Sequence, residues 1–400
     1  MSALGESYGK TSLWARRFLL WGFVFSMGAI LAGCRASSSV DIPLPSAPTE
    51  VEMPVAIDPT PIPPPPKTLV VCLDREPESL FIYSDAYLFG ETGGEARAVL
   101  EAIYDGPIDI VDYRAFPVIL GELPSFEGGG ARLEEVTLAE YEVYLNPETL
   151  QPANLRLGNP YLPVGCTGVE CIKSYPGGEV QMERLVVEFQ LLPDLTWSDG
   201  EPLTASDSLF SFELDSDRTI PTTKYLVDRT AAYEVIDETT VRWIGIPGYF
   251  DPEYPTLLWK PLPQHLLGDI ALDDLQNADL ATRSPIGWGP YQIEEWQSGE
   301  QLLLAKNLNY FRTGEGLPGF DRLLFRFLQS DSTAAIQQLL TGECDLVDES
   351  LLDVSAAATL KQYAGEGRFQ VAWAPASEIT RLDFNVAPVG RFGEMFFAEL

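Results

Sequence analysis

Three regimes of apolar patterning divide the chain. Residues 18–32 are an almost unbroken apolar run, FLLWGFVFSMGAILA. Residues 41–66 show neither a helical nor a strand period. From residue 68 onward, apolar positions recur in short runs bounded by Gly, Pro, Asn and Asp, which is the pattern of strands and turns with occasional helices.

Within that third regime, residues 68–73 (TLVVCL) predict a buried strand and residues 95–104 (EARAVLEAIY) a helix. Residues 185–191 alternate as a strand, and Trp197-Ser198-Asp199-Gly200 predicts a tight turn. Thr204-Ala205-Ser206-Asp207 then reads as a helix start, with a hydroxyl cap and an acid three residues on, running to about residue 214. Residues 233–236 with 241–246, and 291–296 with 301–306, predict two hairpins. Residues 323–328, 332–340 and 345–347 predict a compact βαβ unit, its helix capped by Ser330-Asp331 and ended by Gly342. A helix over 354–363 and strands at 369–373 and 380–384 follow. Residues 113–183, with Gly128-Gly129-Gly130 and Asn146-Pro147, read as loops and short strands. The body is mixed α/β, with most strands in meanders and hairpins.

The first two regimes stand apart from folding. Arg16 and Arg17 precede the apolar run, which is short for a bilayer-spanning helix and ends in Leu31-Ala32-Gly33-Cys34. Small residues followed by Cys resemble the bacterial lipobox. That resemblance implies a signal peptide over residues 1–33, cleavage before Cys34 and lipidation of Cys34. Two or three acyl chains would anchor the exported protein stably at the outer face of the cell membrane or in the periplasm. Residues 41–66 hold 10 of the 32 prolines and no basic residue. Such a segment favours extended polyproline II, so residues 34–67 predict an acidic tether reaching up to roughly 80 Å.

Composition then narrows the function. Lys and Arg number 26 against 59 Asp and Glu, a net charge of −33. That acidity argues against nucleic acid, since phosphate contacts need clustered basic residues. The single histidine, His265, excludes sites needing two. No Gly-x-Ser-x-Gly elbow and no calcium loop is present, and acid pairs such as Asp251/Glu253 and Glu294-Glu295 arise by chance among so many. Neither an enzyme, a metal site nor a cofactor is expected. Cys166 and Cys171 lie in a short Gly-containing loop of an exported chain and predict a disulfide. Cys72 and Cys344 read as buried strand thiols.

Three stretches carry a family resemblance. They are WSDGEPLTASD at 197–207, then GWGPY at 287–291 with Trp296, Gly299 and NLNYF at 307–311, then LTGECD at 340–345. In order and spacing they resemble the family 5 extracellular solute-binding proteins of ABC importers, which include oligopeptide-, dipeptide- and nickel-binding lipoproteins. The resemblance spans about residues 68–386. Trp288 stands where the family usually has Thr, Leu308 where it has Pro, and residues 120–182 are longer and more irregular than usual. The implied fold is α/β: a periplasmic-binding-protein type II lobe, a mixed sheet with flanking helices, plus an inserted β-rich subdomain. The implied boundaries are 68–112 and 184–375 for the first lobe, 113–183 for the insertion, and 376–400 for the start of a second lobe that is largely absent. A half clam-shell cannot enclose a ligand, so weak or no binding is expected from these residues alone.

The resemblance implies capture of a peptide or similar small solute outside the membrane and delivery to a permease with its ATPase. Its cleft region maps to the loop after the first strand, where Glu76, Tyr83, Asp85 and Tyr87 lie. Tyr83, Asp85, Trp288 and Asn385 are the candidate ligand-binding residues, aromatics as apolar walls and Asp85 as partner for an amine. Two other classes compete: an envelope structural or chaperone-like lipoprotein, and a sensor that presents ligand to a receptor.

Overall fold

A computed structural model describes residues 65–372, apart from 112 and 167. The apolar run, Cys34, most of the tether, Asn385 and the expected strand at 380–384 lie outside the described residues.

Thr68–Leu73 is the central strand of a five-stranded sheet. It pairs in parallel with Arg322–Phe327 on one side and Leu346–Val347 on the other. The hairpin Tyr291–Gln297/Gln301–Lys306 extends the sheet antiparallel beyond Arg322–Phe327. The expected βαβ unit is thus present with a correction. Its strands are not neighbours, because Thr68–Leu73 fills the place between them. TLVVCL is apolar on both faces, which suits a strand covered on both sides.

The two faces of that strand bury different elements. Val71 and Leu73 join the main core with Ala96, Val99, Leu100 and Ile103 of helix Gly93–Ile103. Cys72 points the other way, into a smaller cluster with Ala335 of helix Ser332–Thr341 and with Cys344. Cys72 and Cys344 form a disulfide, so the reading of both as free thiols is corrected. Their burial is as expected, at 0% and 1% exposure. The pairing joins positions 272 residues apart and follows from the strand insertion, which no local pattern announces.

A second, antiparallel sheet runs in the order Thr230–Val235, Thr240–Gly245, Val180–Gln190, Ala131–Leu138. Its inner residues Val187, Phe189, Val241 and Trp243 join the same main core as Val71 and Leu73. Ala131–Leu138 comes from the 113–183 segment, yet pairs along its whole length with Val180–Gln190. Beyond it, the small hairpins Val143–Asn146/Gln151–Asn154 and Pro160–Tyr161/Lys173–Ser174 surround a local core of Leu138, Tyr144, Leu155, Tyr161, Tyr175 and Met182. Cys166 and Cys171 are bonded in the loop between the last two strands.

Helix Ala205–Ser216 begins as its sequence implies. Asp207 Oδ2 accepts the Thr204 backbone N–H at 2.8 Å, and Oδ1 accepts that of Gln264 at 3.1 Å. Helix Ser332–Thr341 is capped by Asp331 and ends at Gly342 with φ 77°, where a left-handed residue closes the last turn. Residues 354–365 form a short 3-10 turn running into helix Ala357–Gly365. Residues 369–372 form no strand, which corrects that expectation over its described part.

Candidate functional site

Two of the three sequence motifs, 197–207 and 287–291 with 307–311, meet at one place. Gly287 and Gly289 lie against the end of helix Gly93–Ile103, where an added Cβ would stand 2.1 and 2.5 Å from the Ile103 carbonyl oxygen. Gly289 N–H donates to that oxygen at 2.7 Å. Ser198 N–H donates to the Gly287 carbonyl, and Asn309 Nδ2 to the Ser198 carbonyl, each at 2.9 Å. Asn307 Nδ2 donates to Gly289 O at 2.8 Å. His265 Nε2 lies 2.9 Å from Asp199 Oδ2, bracing the same turn. These residues build the scaffold.

An open crevice lies elsewhere, at the carboxyl ends of the parallel strands Thr68–Leu73 and Arg322–Phe327. From these adjacent ends the chain leaves to opposite faces, toward helix Gly93–Ile103 after one and helix Ser332–Thr341 after the other. Open α/β sheets bind ligands at such a switch point, because the diverging loops leave a gap. Here the gap holds about 630 Å³ and is lined by Asp74, Arg75, Glu76, Glu78, Thr92, Gln329 and Ser330.

Its walls are tied down. Gln329 N–H donates to Asp74 O at 2.8 Å and adopts φ 46°, a left-handed conformation uncommon outside glycine. Thr92 Oγ1 accepts Glu78 N–H at 3.1 Å. Glu76 Oε1 accepts Arg283 Nη2 and Trp296 Nε1, both at 2.7 Å, and Oε2 accepts Gly299 N–H at 2.8 Å. Arg283 also stacks on Trp296, its guanidinium carbon 3.6 Å from the ring centroid. Burial alone pushes the Glu76 carboxyl up, but the Arg283 and Gly299 hydrogen bonds, the Arg283 charge and Trp296 outweigh it and hold the pKa below the ordinary value.

Two polar atoms in the crevice lack hydrogen bonds. Ser330 Oγ is buried without a partner. Arg75 donates through Nη1 to Glu91 at 2.7 Å, while its buried Nε has no hydrogen bond, with Asp74 Oδ2 3.4 Å away. The Glu91 hydrogen bond, against the cost of burial, raises the Arg75 pKa, with Glu95 and Asp74 adding to it.

The three sequence-derived candidates within the described residues, Tyr83, Asp85 and Trp288, do not line this crevice. Tyr83 is buried with Phe81, Leu214, Leu262 and Leu275, and burial pushes its hydroxyl well above the ordinary range. Trp288 is 1% exposed, edge-on to Tyr104 and Trp197, with Nε1 donating to Asp105 O at 2.7 Å. Asp85 is exposed in the first turn of the short helix Asp85–Phe89. The lining comes instead from the start of the same loop, residues 74–78, and from Gln329 and Ser330. The available signal was position, namely the first residues after each parallel strand. Among the described residues no helix is long and apolar enough to cross a membrane, and no cluster of three or more His, Cys, Asp or Glu is placed to hold a metal ion.

Residues 174–397 match the family model of bacterial extracellular solute-binding proteins, family 5 Middle. The oligopeptide-binding protein AppA of Bacillus subtilis (strain 168) is 28% identical over 199 residues, covering 47% of this chain and 33% of AppA. A putative ABC transporter peptide-binding protein of Brucella ovis is 27% identical over 213 residues, covering 52% of this chain and 37% of its own. Among solved structures, B. subtilis AppA in complex with a nonapeptide superposes with TM-score 0.50 at 18% identity, over 74% of this chain and 46% of that one. The periplasmic EDTA-binding protein EppA gives TM-score 0.51 at 18% identity, over 75% and 46%. These structures identify the fold as part of a type II periplasmic binding protein. The chain spans about a third of the length of the curated relatives it matches. The family consists of binding proteins and not enzymes. By its motifs and its match over residues 174–397, the chain belongs to the family 5 bacterial extracellular solute-binding proteins.

Proposed function

We propose that this protein is the substrate-binding component of an ABC importer. It captures a peptide or similar small solute outside the membrane and hands it to a permease driven by an ATPase. Residues 1–33 act as a lipoprotein signal peptide, Cys34 carries the lipid, and residues 34–67 tether the folded part. Residues 68–112 and 184–375 supply one lobe around the 113–183 insertion, and residues 376–400 begin the other. The observation that carries this reading is the polar crevice at the strand switch point, lined by Arg75, Glu78, Thr92, Gln329 and Ser330. Asp85, exposed further along the same loop, adds a carboxylate for a ligand amine.

The test is uptake. Cells lacking the gene should lose uptake of labelled oligopeptides, and the wild-type gene should restore it. A gene carrying Cys34→Ala should restore it poorly, with the protein released from the membrane fraction. Undiminished peptide uptake in the deletion strain would refute peptide import. A Cys34→Ala protein that stays in the membrane fraction would refute the lipid anchor.

A further inference from the structure

A second cavity, of about 660 Å³, opens beside the loop closed by Cys166 and Cys171. It shares no lining residue with the crevice. Its walls are apolar, formed by Leu145, Leu150, Leu162, Ile172, Tyr249 and Phe250. Around its mouth Leu150 is 61% exposed, Val169 82% and Tyr225 56%. Large apolar side chains gathered at the mouth of an apolar cavity are the usual form of a small-molecule site.

One lining residue breaks the pattern. Arg229 is 3% exposed. The 3-10 turn Val227–Arg229 delivers it to the start of strand Thr230–Val235, and its carbonyl accepts Ile246 N–H at 2.9 Å. Its Nη1 donates to Tyr225 O at 2.9 Å and Nη2 to Leu150 O at 2.8 Å. The guanidinium carbon lies 3.7 Å from the Tyr225 ring centroid and 5.7 Å from that of Tyr249. Nε is buried without a hydrogen-bond partner. Among the described residues, no carboxylate forms an ion pair with Arg229. Two carbonyls and two ring faces offset part of the cost of burying this cation. Its Nε–H has no partner, and among the described residues no carboxylate pairs with its charge.

We infer that this cavity binds an apolar molecule ending in a single carboxylate, with Arg229 as the counter-charge. Asp251 and Glu253 at the rim set the limit on charge. Asp251 accepts the Tyr249 hydroxyl at 2.5 Å, which holds its side chain beside the cavity. A second negative charge on the ligand would meet this pair, so a monocarboxylate fits and a dicarboxylate does not. The carboxylate belongs either to a free aromatic or aliphatic acid or to the C-terminus of an apolar peptide.

Calorimetric titration of the full chain near neutral pH tests this. The probes are 4-phenylbutyrate against its primary amide, and N-acetyl-Leu-Phe against its C-terminal amide. In at least one pair the acid should bind at least about tenfold more tightly than the amide, as a charge-assisted contact requires. The pair that binds identifies the source of the carboxylate. Arg229→Gln should erase the preference, and suberate should not bind. Because Arg229 is buried, Val169→Asp at the exposed loop tip serves as a second variant that leaves the core untouched. It should weaken the acid and not the amide. Equal affinity of acid and amide, no binding of either pair at millimolar concentration, or a preference that survives both variants would overturn the assignment.

Discussion

Glu76 and Arg283 meet at 2.7 Å, joining the loop after the central strand to the segment that leads into the Tyr291–Gln297 hairpin. The same carboxylate holds Trp296 and Gly299, so one acid fixes one wall of the crevice to the edge of the sheet. Its folded pKa is held below the ordinary value of 4.5. A depressed carboxylate stabilises the fold above its unfolded pKa and loses that contribution as pH falls through the folded value. The urea midpoint of the wild type should therefore drop as pH falls below about 4.5. Glu76→Gln should start about 1–3 kcal/mol lower at neutral pH and show a shallower acid slope. Parallel slopes for the two proteins would remove Glu76 from the pH response.

Gly287 has no room for a side chain, because the Ile103 carbonyl would stand 2.1 Å from its Cβ. The obstacle is backbone at a helix end and cannot rotate away. Gly287→Ala should destabilise the fold by about 2–4 kcal/mol, read as a lowered denaturant midpoint with unchanged slope. Gly299→Ala is the contrast. Nothing lies within 4 Å of its Cβ position, and only its φ of 77° opposes the change, so the loss should be about 1 kcal/mol. A Gly287→Ala protein no weaker than Gly299→Ala would contradict the close packing.

The two disulfides should differ in weight. Cys72–Cys344 closes a loop of 272 residues and lies buried, whereas Cys166–Cys171 closes one of 5. Longer loops lose more unfolded-state entropy on cross-linking, so Cys72→Ala/Cys344→Ala should lower stability by about 2–5 kcal/mol. Cys166→Ala/Cys171→Ala should cost less. Thermal denaturation of the two double variants separates them, and equal shifts would count against the ranking.

Arg75 and Asp85 give opposite expectations for fold and ligand. Both are surface-accessible enough for alanine to be tolerated in folding. If the crevice takes solute, Arg75→Ala should reduce a ligand-induced thermal shift measured with a peptide that binds the wild type. Asp85→Ala should reduce it for peptides with a free amino terminus and leave N-acetylated ones unaffected. Unchanged shifts in both variants would move the site away from this loop.

Much of the architecture was legible in local pattern. The capped helix after Thr204, both antiparallel hairpins and the Gly342 helix stop follow from apolar period and turn chemistry, because their bonds close within a few residues, and the strand at 68–73 follows from its apolar run. The motifs 197–207, 287–291 and 307–311 identified the family. Their roles became plain only in three dimensions, as an interlocked set of backbone contacts around Ser198, Gly287 and Asn309. Trp288 illustrates the limit: an aromatic in a family motif reads equally as wall or as core, and the packing of Tyr104 and Trp197 makes it core.

The sequence alone determined that the body is mixed α/β, strongly acidic, preceded by a leader-like run and a proline-rich stretch, and of the solute-binding type. These properties live in composition, period and short motifs. Tertiary structure decided that Thr68–Leu73 enters between Arg322–Phe327 and Leu346–Val347, and from that one insertion came the rest. It brought Cys72 to Cys344, opened the crevice between Asp74 and Ser330, and sent the two chain paths to opposite faces. The order of strands in a sheet depends on contacts more than 250 residues apart, such as Cys72 with Cys344, and the residues at either end carry no local record of each other. Arg229 is the same case: an ordinary surface residue by sequence, it became a buried cation without a counter-ion only when Tyr225, Leu150 and Tyr249 closed around it.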